Sequence, residues 1–193
     1  MAINYEEFYR STFGVTDEKL LKEVADVSVF KKLKPKEYLI RAGEPTVILW
    51  INVKGIFRGI LTTDEGKDIT DCFSFHTGDI LFAGFDIKLG EKAHVDLQAV
   101  TPCEVVGIPM NLVMMHMSNK NPDLLNICQK ALEMAVKRHI EVARMRTLSV
   151  SERIRWFRET MGQMGDVIED QYVASWLSMD RSTYCREKKK LSE

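Results

Sequence analysis

From Leu124 to Arg146 the chain contains neither glycine nor proline, whereas residues 29–109 are interrupted by both again and again. That contrast constrains the fold most. The uninterrupted stretch can be one helix. The interrupted one must be short elements joined by turns. Within it, Tyr38-Leu39-Ile40, Val47 to Val53, Gly55 to Leu61, Ile69 to Phe73 and Cys103 to Ile108 read as strands. The breaks are Ala42-Gly43-Glu44-Pro45, Asp64-Glu65-Gly66-Lys67 and Thr77-Gly78-Asp79. Many short strands at this spacing indicate a barrel or sandwich. Residues 1 to about 28 carry Phe8, Phe13, Leu20, Leu21 and Val24 at helical spacing.

The uninterrupted stretch opens at Asn121-Pro122-Asp123, a helix start with proline in the first turn. Leu125, Cys128, Leu132, Ala135, His139, Val142 and Arg146 recur at steps of three and four, an a/d pattern. A helix of about 22 residues spans about 33 Å. It is either a seam between two copies of the chain or an ordinary amphipathic helix on its own domain. Its length favours the seam. His139 then fixes helix register, with a pH switch as the alternative.

Ser149-Val150-Ser151-Glu152 reads as a capping box that opens another helix through Ile154, Phe157 and Met161, ended by Gly162 and Gly165. The expected segments are a β-rich domain over 1–120, the long helix over 121–147 and a small helical domain over 148–193. Near the C-terminus, Val173, Ala174, Leu177, Met179 and Tyr184 fit the buried positions of a helix-turn-helix. Ser178-Met179 makes the turn, and Asp180 caps the second helix. From Arg181 onward stand Arg181, Arg186, Lys188, Lys189 and Lys190, against Glu187 and Glu193. From Gly165 to Asp180 there are four acids and no base. Arg181 and Arg186 suit guanine edges, while Ser182, Thr183, Lys188 and Lys189 suit phosphates. A solvated helix with an incidental charge run is the plain alternative.

Composition adds limits. With 193 residues, 45% of them apolar and 28% charged, the chain is a folded protein rather than a disordered one. A net charge of −1 leaves nucleic-acid binding to local charge. Cys72, Cys103, Cys128 and Cys185 form no paired spacing, so reduced thiols are expected, without a metal or a cofactor. The acidic N-terminus lacks a signal core, and no stretch suits a membrane, so a cytoplasmic protein is expected.

From about Leu33 to Leu191 the chain resembles the Crp/Fnr family of bacterial regulators. Leu39 to Glu44 looks like its first roll turn. Val53-Lys54-Gly55 and Asp64 to Lys67 match its next strand ends, and Gly78-Asp79 opens the phosphate cassette of cyclic-nucleotide binders. Asp180 to Arg186 resembles its recognition-helix motif. The resemblance implies an α+β protein. Its parts are an N-terminal double-stranded β-helix (a cyclic-nucleotide-binding-like jelly roll) with flanking helices, a long dimerisation helix and a C-terminal helix-turn-helix domain. It implies a homodimer on double-stranded DNA, not an enzyme, and leaves RNA polymerase open as a further partner.

The departures matter as much. Where cyclic-AMP binders of the family carry Gly-Glu and Arg-Ser pairs, this chain has Phe82-Ala83 and Ala93-His94. A buried phosphate needs a fixed charge or several donors, so cyclic AMP is not the expected effector. An unidentified effector would meet these four residues. Ser178 replaces the turn glycine, and Glu187 stands where an apolar residue packs. Only two residues follow Leu191, which leaves a DNA-binding wing little room. One rival reading is a small-ligand module with a degenerate DNA domain. Another is a β-barrel metal enzyme, which His76 and His94 are too isolated to support.

Overall fold

The computed structural model describes residues 3–84 and 90–191. The chain divides into two compact units, Met1–Gly59 with Phe73–Glu133, and Ile60–Cys72 with Met134–Glu193. Helix α4 (Pro122–Arg146) runs through residues of both.

The first unit begins with α1 (Tyr5–Phe13) and α2 (Glu18–Val27). Both start where a side chain takes over orphan backbone donors. Asn4 accepts from the Glu7 amide at 3.2 Å, and Asp17 from those of Lys19 and Leu20. Gly14 ends α1 in the left-handed region at φ 71°.

Eight strands follow: β1 (Val29–Leu33), β2 (Tyr38–Ile40), β3 (Ile48–Lys54), β4 (Phe57–Thr62), β5 (Asp68–Ser74), β6 (Ile80–Leu81), β7 (Asp96–Ala99) and β8 (Cys103–Pro109). They form two four-stranded sheets, in the orders β1-β8-β3-β6 and β2-β7-β4-β5. Strand β8 pairs antiparallel with β1 and β3, and β7 with β2.

Period-two alternation on β8 divides the core. Cys103 and Val105 join Leu33, Leu39, Phe57, Leu81 and Leu97 inside the roll. Val106 and Ile108 face the helices, against Leu20, Leu21, Val24, Val113 and Leu124. Gly55 turns β3 into β4 at φ 97°, where a Cβ would lie 2.6 Å from the Cys103 sulfur and the Pro102 carbonyl.

After Pro109 come α3 (Met110–Ser118) and α4. The start of α4 is tied to that of α2. Asn121 Oδ1 accepts from the amides of Asp123 and Leu124, while its Nδ2 donates to Asp17 at 2.7 Å. Asp123 in turn accepts from the Thr16 and Asp17 amides at 2.7 and 2.8 Å. Those amide bonds hold the Asp123 carboxyl below the usual carboxylate range.

In the second unit, Ser149 and Glu152 close a full capping box at the head of α5 (Val150–Met161). A 3₁₀ turn over Gly162–Val167 leads to α6 (Asp170–Trp176) and α7 (Arg181–Lys190). Met145, Ile154, Phe157, Met161, Val173, Ala174, Leu177 and Tyr184 are buried. Trp176 packs tilted on Trp156 and edge-on to Phe157, with centroids at 5.2 and 5.9 Å. The β4–β5 hairpin tip belongs here too: the Thr70 amide donates to Ser175 Oγ at 2.9 Å.

Candidate nucleic-acid interface and effector pocket

Helix α7 turns its residues two ways. Tyr184 is buried, and Val173, Ala174 and Leu177 of the preceding segment are closed away from solvent. Arg181, Ser182, Arg186, Lys189 and Lys190 are exposed. Thr183 and Lys188 are half-buried. The turn before α7 holds Ser178 at φ 55°, a left-handed conformation costly for any residue with a Cβ. Asp180 has the extended backbone of an N-cap, but among the described residues its side chain makes no capping hydrogen bond.

The positive charge on α7 is unevenly committed. Lys188 Nζ lies 2.8 Å from Asp170 Oδ1 at the start of α6, and this hydrogen bond pushes its pKa up. Its ammonium is also 5.5 Å from the Tyr184 ring. Lys188 therefore supports the packing of α7 on α6, where a phosphate-facing role was expected of it. Glu187 takes an apolar position by satisfying its carboxylate locally. Lys190 Nζ is 2.8 Å away and Arg186 Nε 3.5 Å. The Lys190 hydrogen bond, first of all, holds that carboxyl below its ordinary range. Arg181, Ser182, Arg186 and Lys189 remain as an exposed polar strip along one side of the helix.

On α4, Leu125 is 42% and Leu132 65% exposed. Ala135 and His139 are exposed, and Cys128 and Val142 half-buried. Val136 and Ile140, absent from the expected seam, are 50% and 45% exposed. At about 3.6 residues per turn, Leu125, Leu132, Val136 and Ala143 share one line, and Ala135 and Val142 lie to its side.

In the roll, the four positions expected to meet an effector separate into two pairs. Ala83 and Ala93 are buried in the apolar core with Leu39, Leu81 and Leu97. The Ala83 carbonyl accepts from the amides of His94 and Val95 at 2.5 and 3.3 Å. Phe82 is 42% exposed, and His94 pairs at 3.5 Å with Glu91. Phe82 and Ala83, but not Ala93 or His94, line a cavity of about 20 Å³ together with Ile40, Trp50, Leu81 and Met110 among others. Buried polarity sits elsewhere in the roll. Arg58 on β4 donates from Nε to Gln98 on β7 at 2.8 Å, and Gln98 donates to the Lys36 carbonyl. Forty residues separate Arg58 from Gln98, and no spacing signal connects them.

His116 is buried with Nε2 2.8 Å from Glu23. Among the described residues no group of three or more His, Cys, Asp or Glu side chains could hold a metal ion. Nor is any helix among them long and apolar enough to cross a membrane.

No family model matches the sequence, and no curated protein matches it. Solved structures do match. A c-di-GMP-responsive global regulator of Xanthomonas campestris aligns at 18% identity and TM-score 0.69, over 91% of this chain and 92% of its own. A CRP-family transcriptional regulator from Thermus thermophilus aligns at 16% and 0.68, over 84% of each chain. FixK2 from Bradyrhizobium japonicum aligns at 15% and 0.64, over 86% and 85%. Antiparallel sheets and helices arranged in this way define the Crp-type, cyclic-nucleotide-binding-like fold. The resemblance to Crp/Fnr regulators read from the sequence is thus a likeness of three-dimensional structure.

Proposed function

We propose that the chain is a DNA-binding transcription regulator that acts as a homodimer, with α6, its turn and α7 as the helix-turn-helix and α4 as the dimer helix. The observation that carries this reading is the division of α7. Its apolar side is buried at Tyr184, while Arg181, Ser182, Arg186 and Lys189 stand exposed along the side a major groove would receive. The exposed apolar residues of α4 support a second copy as its cover, because water is a poor neighbour for Leu132, Val136 and Ile140 together. Two α7 helices would then meet successive major grooves about 34 Å apart.

The effector, if the roll takes one, is not cyclic AMP held in the family's usual way. Ala83 and Ala93 supply no charge and fill the core instead. A second reading, a small-ligand module with a degenerate DNA domain, draws support from the ion pairs that occupy Lys188 and Lys190.

In vitro selection from a random duplex pool, followed by binding across a salt series, tests the first reading. Recovery of a two-half-site sequence with steeply salt-dependent affinity is expected. Arg181→Ala is expected to relax preference at one base pair by about 1–3 kcal/mol. Failure to enrich any duplex, with tight calorimetric binding of cyclic AMP or cyclic GMP, would favour the second.

A further inference from the structure

Arg153 occupies the first turn of α5, and its root is rigid because the Ser149–Glu152 capping box fixes where that helix begins. Its guanidinium reaches four backbone carbonyls. Nε donates to Leu148 at 3.0 Å and Nη2 to Arg146 at 3.0 Å. Nη1 donates to Leu177 at 3.1 Å and to Ser178 at 3.4 Å. Arg146 is the last residue of α4 and Leu148 lies in the link to α5, while Leu177 caps the end of α6 and Ser178 begins the turn into α7.

Of these, the Arg146 and Leu177 carbonyls stand at helix ends, have no partner within their own helix and carry the negative end of its dipole. One cation between them satisfies both. A planar fork with donors in fixed directions is the side chain that can bond the two ends at once. A lysine ammonium would reach one end as a point charge.

We infer that Arg153 is the positioning residue that sets the angle between the end of α4 and the turn into α7, and through it the separation of DNA half-sites the protein prefers. This rests on the DNA-binding homodimer reading above. If α4 is the dimer helix, α7 is aimed from its end. The turn that Arg153 grips at Leu177 and Ser178 immediately precedes α7. Freeing the turn from α4 leaves α7 its exposed residues and removes the restraint on where a second α7 lies. Each half-site would still be read, and the distance between half-sites would be read less sharply.

The test uses the full chain and a duplex enriched from a random pool by the wild-type protein. From it a series is built with one or two base pairs added or removed between the half-sites. Each base pair changes the separation by about 3.4 Å and the phase by about 35°. Wild type is expected to prefer its own spacing about tenfold over its neighbours. In Arg153→Met the preference is expected to fall to within about threefold, with Arg153→Lys between the two. Arg155→Met removes an equal charge from an exposed position on the same helix, and is expected to weaken all spacings alike. Thermal unfolding, run in parallel, shows whether each variant is folded.

A folded Arg153→Met protein with the wild-type spacing profile overturns the inference and leaves the DNA reading intact. Should Arg153→Met not fold, an unbroadened profile for Arg153→Lys overturns it equally. Failure of the wild type to enrich any duplex removes both.

Discussion

The stretch of the roll that holds Ala83 and Ala93 and helix α7 treat their side chains in opposite ways. Ala83 and Ala93 themselves turn inward into the apolar core, while Phe82 and His94 beside them are exposed. On α7 the side chains at Arg181, Ser182, Arg186 and Lys189 turn outward. The difference teaches which of the two sites the fold can do without. The alanines at positions 83 and 93 pack directly, so the roll keeps its core without a charged group there. An exposed arginine on α7 contributes little to packing, which leaves it available for the duplex contact proposed above.

The largest effect that could break this comparison is expected from Ala93→Arg, which puts the charge of cyclic-AMP binders back at its aligned position. Ala93 is 4% exposed, and its amide and carbonyl already bond to Glu44 and Gly43 at 2.8 Å each. A guanidinium there is an unpaired buried charge in a filled core. A loss of about 3–5 kcal/mol in urea unfolding is expected, without gain of nucleotide binding. An unchanged unfolding midpoint together with new affinity for cyclic AMP would show that the pocket had only lost its arginine and was not rebuilt as core.

What the sequence shows of this depends on the range of each interaction. Local devices were legible. Asn121 begins α4, and Ser149 and Glu152 cap α5. The two-residue strand β6 was not, because so short a run carries no periodicity. The heptad assigned to α4 followed Ala135 and Val142. The exposed apolar line passes instead through Val136, since a helix at 3.6 residues per turn drifts from a 3.5-residue repeat. Long cationic side chains were the least legible of all. Arg153, Lys188 and Arg58 look like surface charge in the sequence, yet each reaches a partner fixed by tertiary structure. Pattern records which face a Cα is on and says nothing of how far a guanidinium or ammonium extends.

Lys188 and Lys189 sharpen the comparison at smaller scale, because they are neighbours with opposite commitments. Lys189 is exposed, and Lys188 holds Asp170 at 2.8 Å. Lys189→Ala is expected to lower the slope of log affinity against log salt by about 0.9, the loss of one phosphate contact, and to leave thermal stability as it was. Lys188→Ala is expected to leave that slope nearly unchanged and to lower the unfolding midpoint slightly, since a partly exposed pair contributes at most about 1 kcal/mol. Equal slopes for the two variants would mean that Lys188 leaves Asp170 when DNA binds, and that the division drawn along α7 is a property of the free protein only.

The smallest expected effect concerns the turn that aims α7. Ser178 sits at φ 55°, where a Cβ costs about 1–2 kcal/mol and glycine costs nothing. Ser178→Gly relieves that strain, but it also gives the unfolded chain more freedom, a loss of about 0.4–1 kcal/mol. The first effect is the larger, so a net stabilisation of about 0.5 kcal/mol is expected, seen as a rise of about 1–2 °C in the unfolding midpoint. The Ser178 carbonyl that accepts from Arg153 is backbone, so the substitution leaves that bond available and DNA affinity should not fall. A lowered midpoint would mean that the serine hydroxyl stabilises the turn by more than its backbone costs. A raised midpoint with weakened DNA binding would mean that the strain itself helps to hold α7 in its working direction. In that case the strain at Ser178 serves DNA binding at the expense of stability.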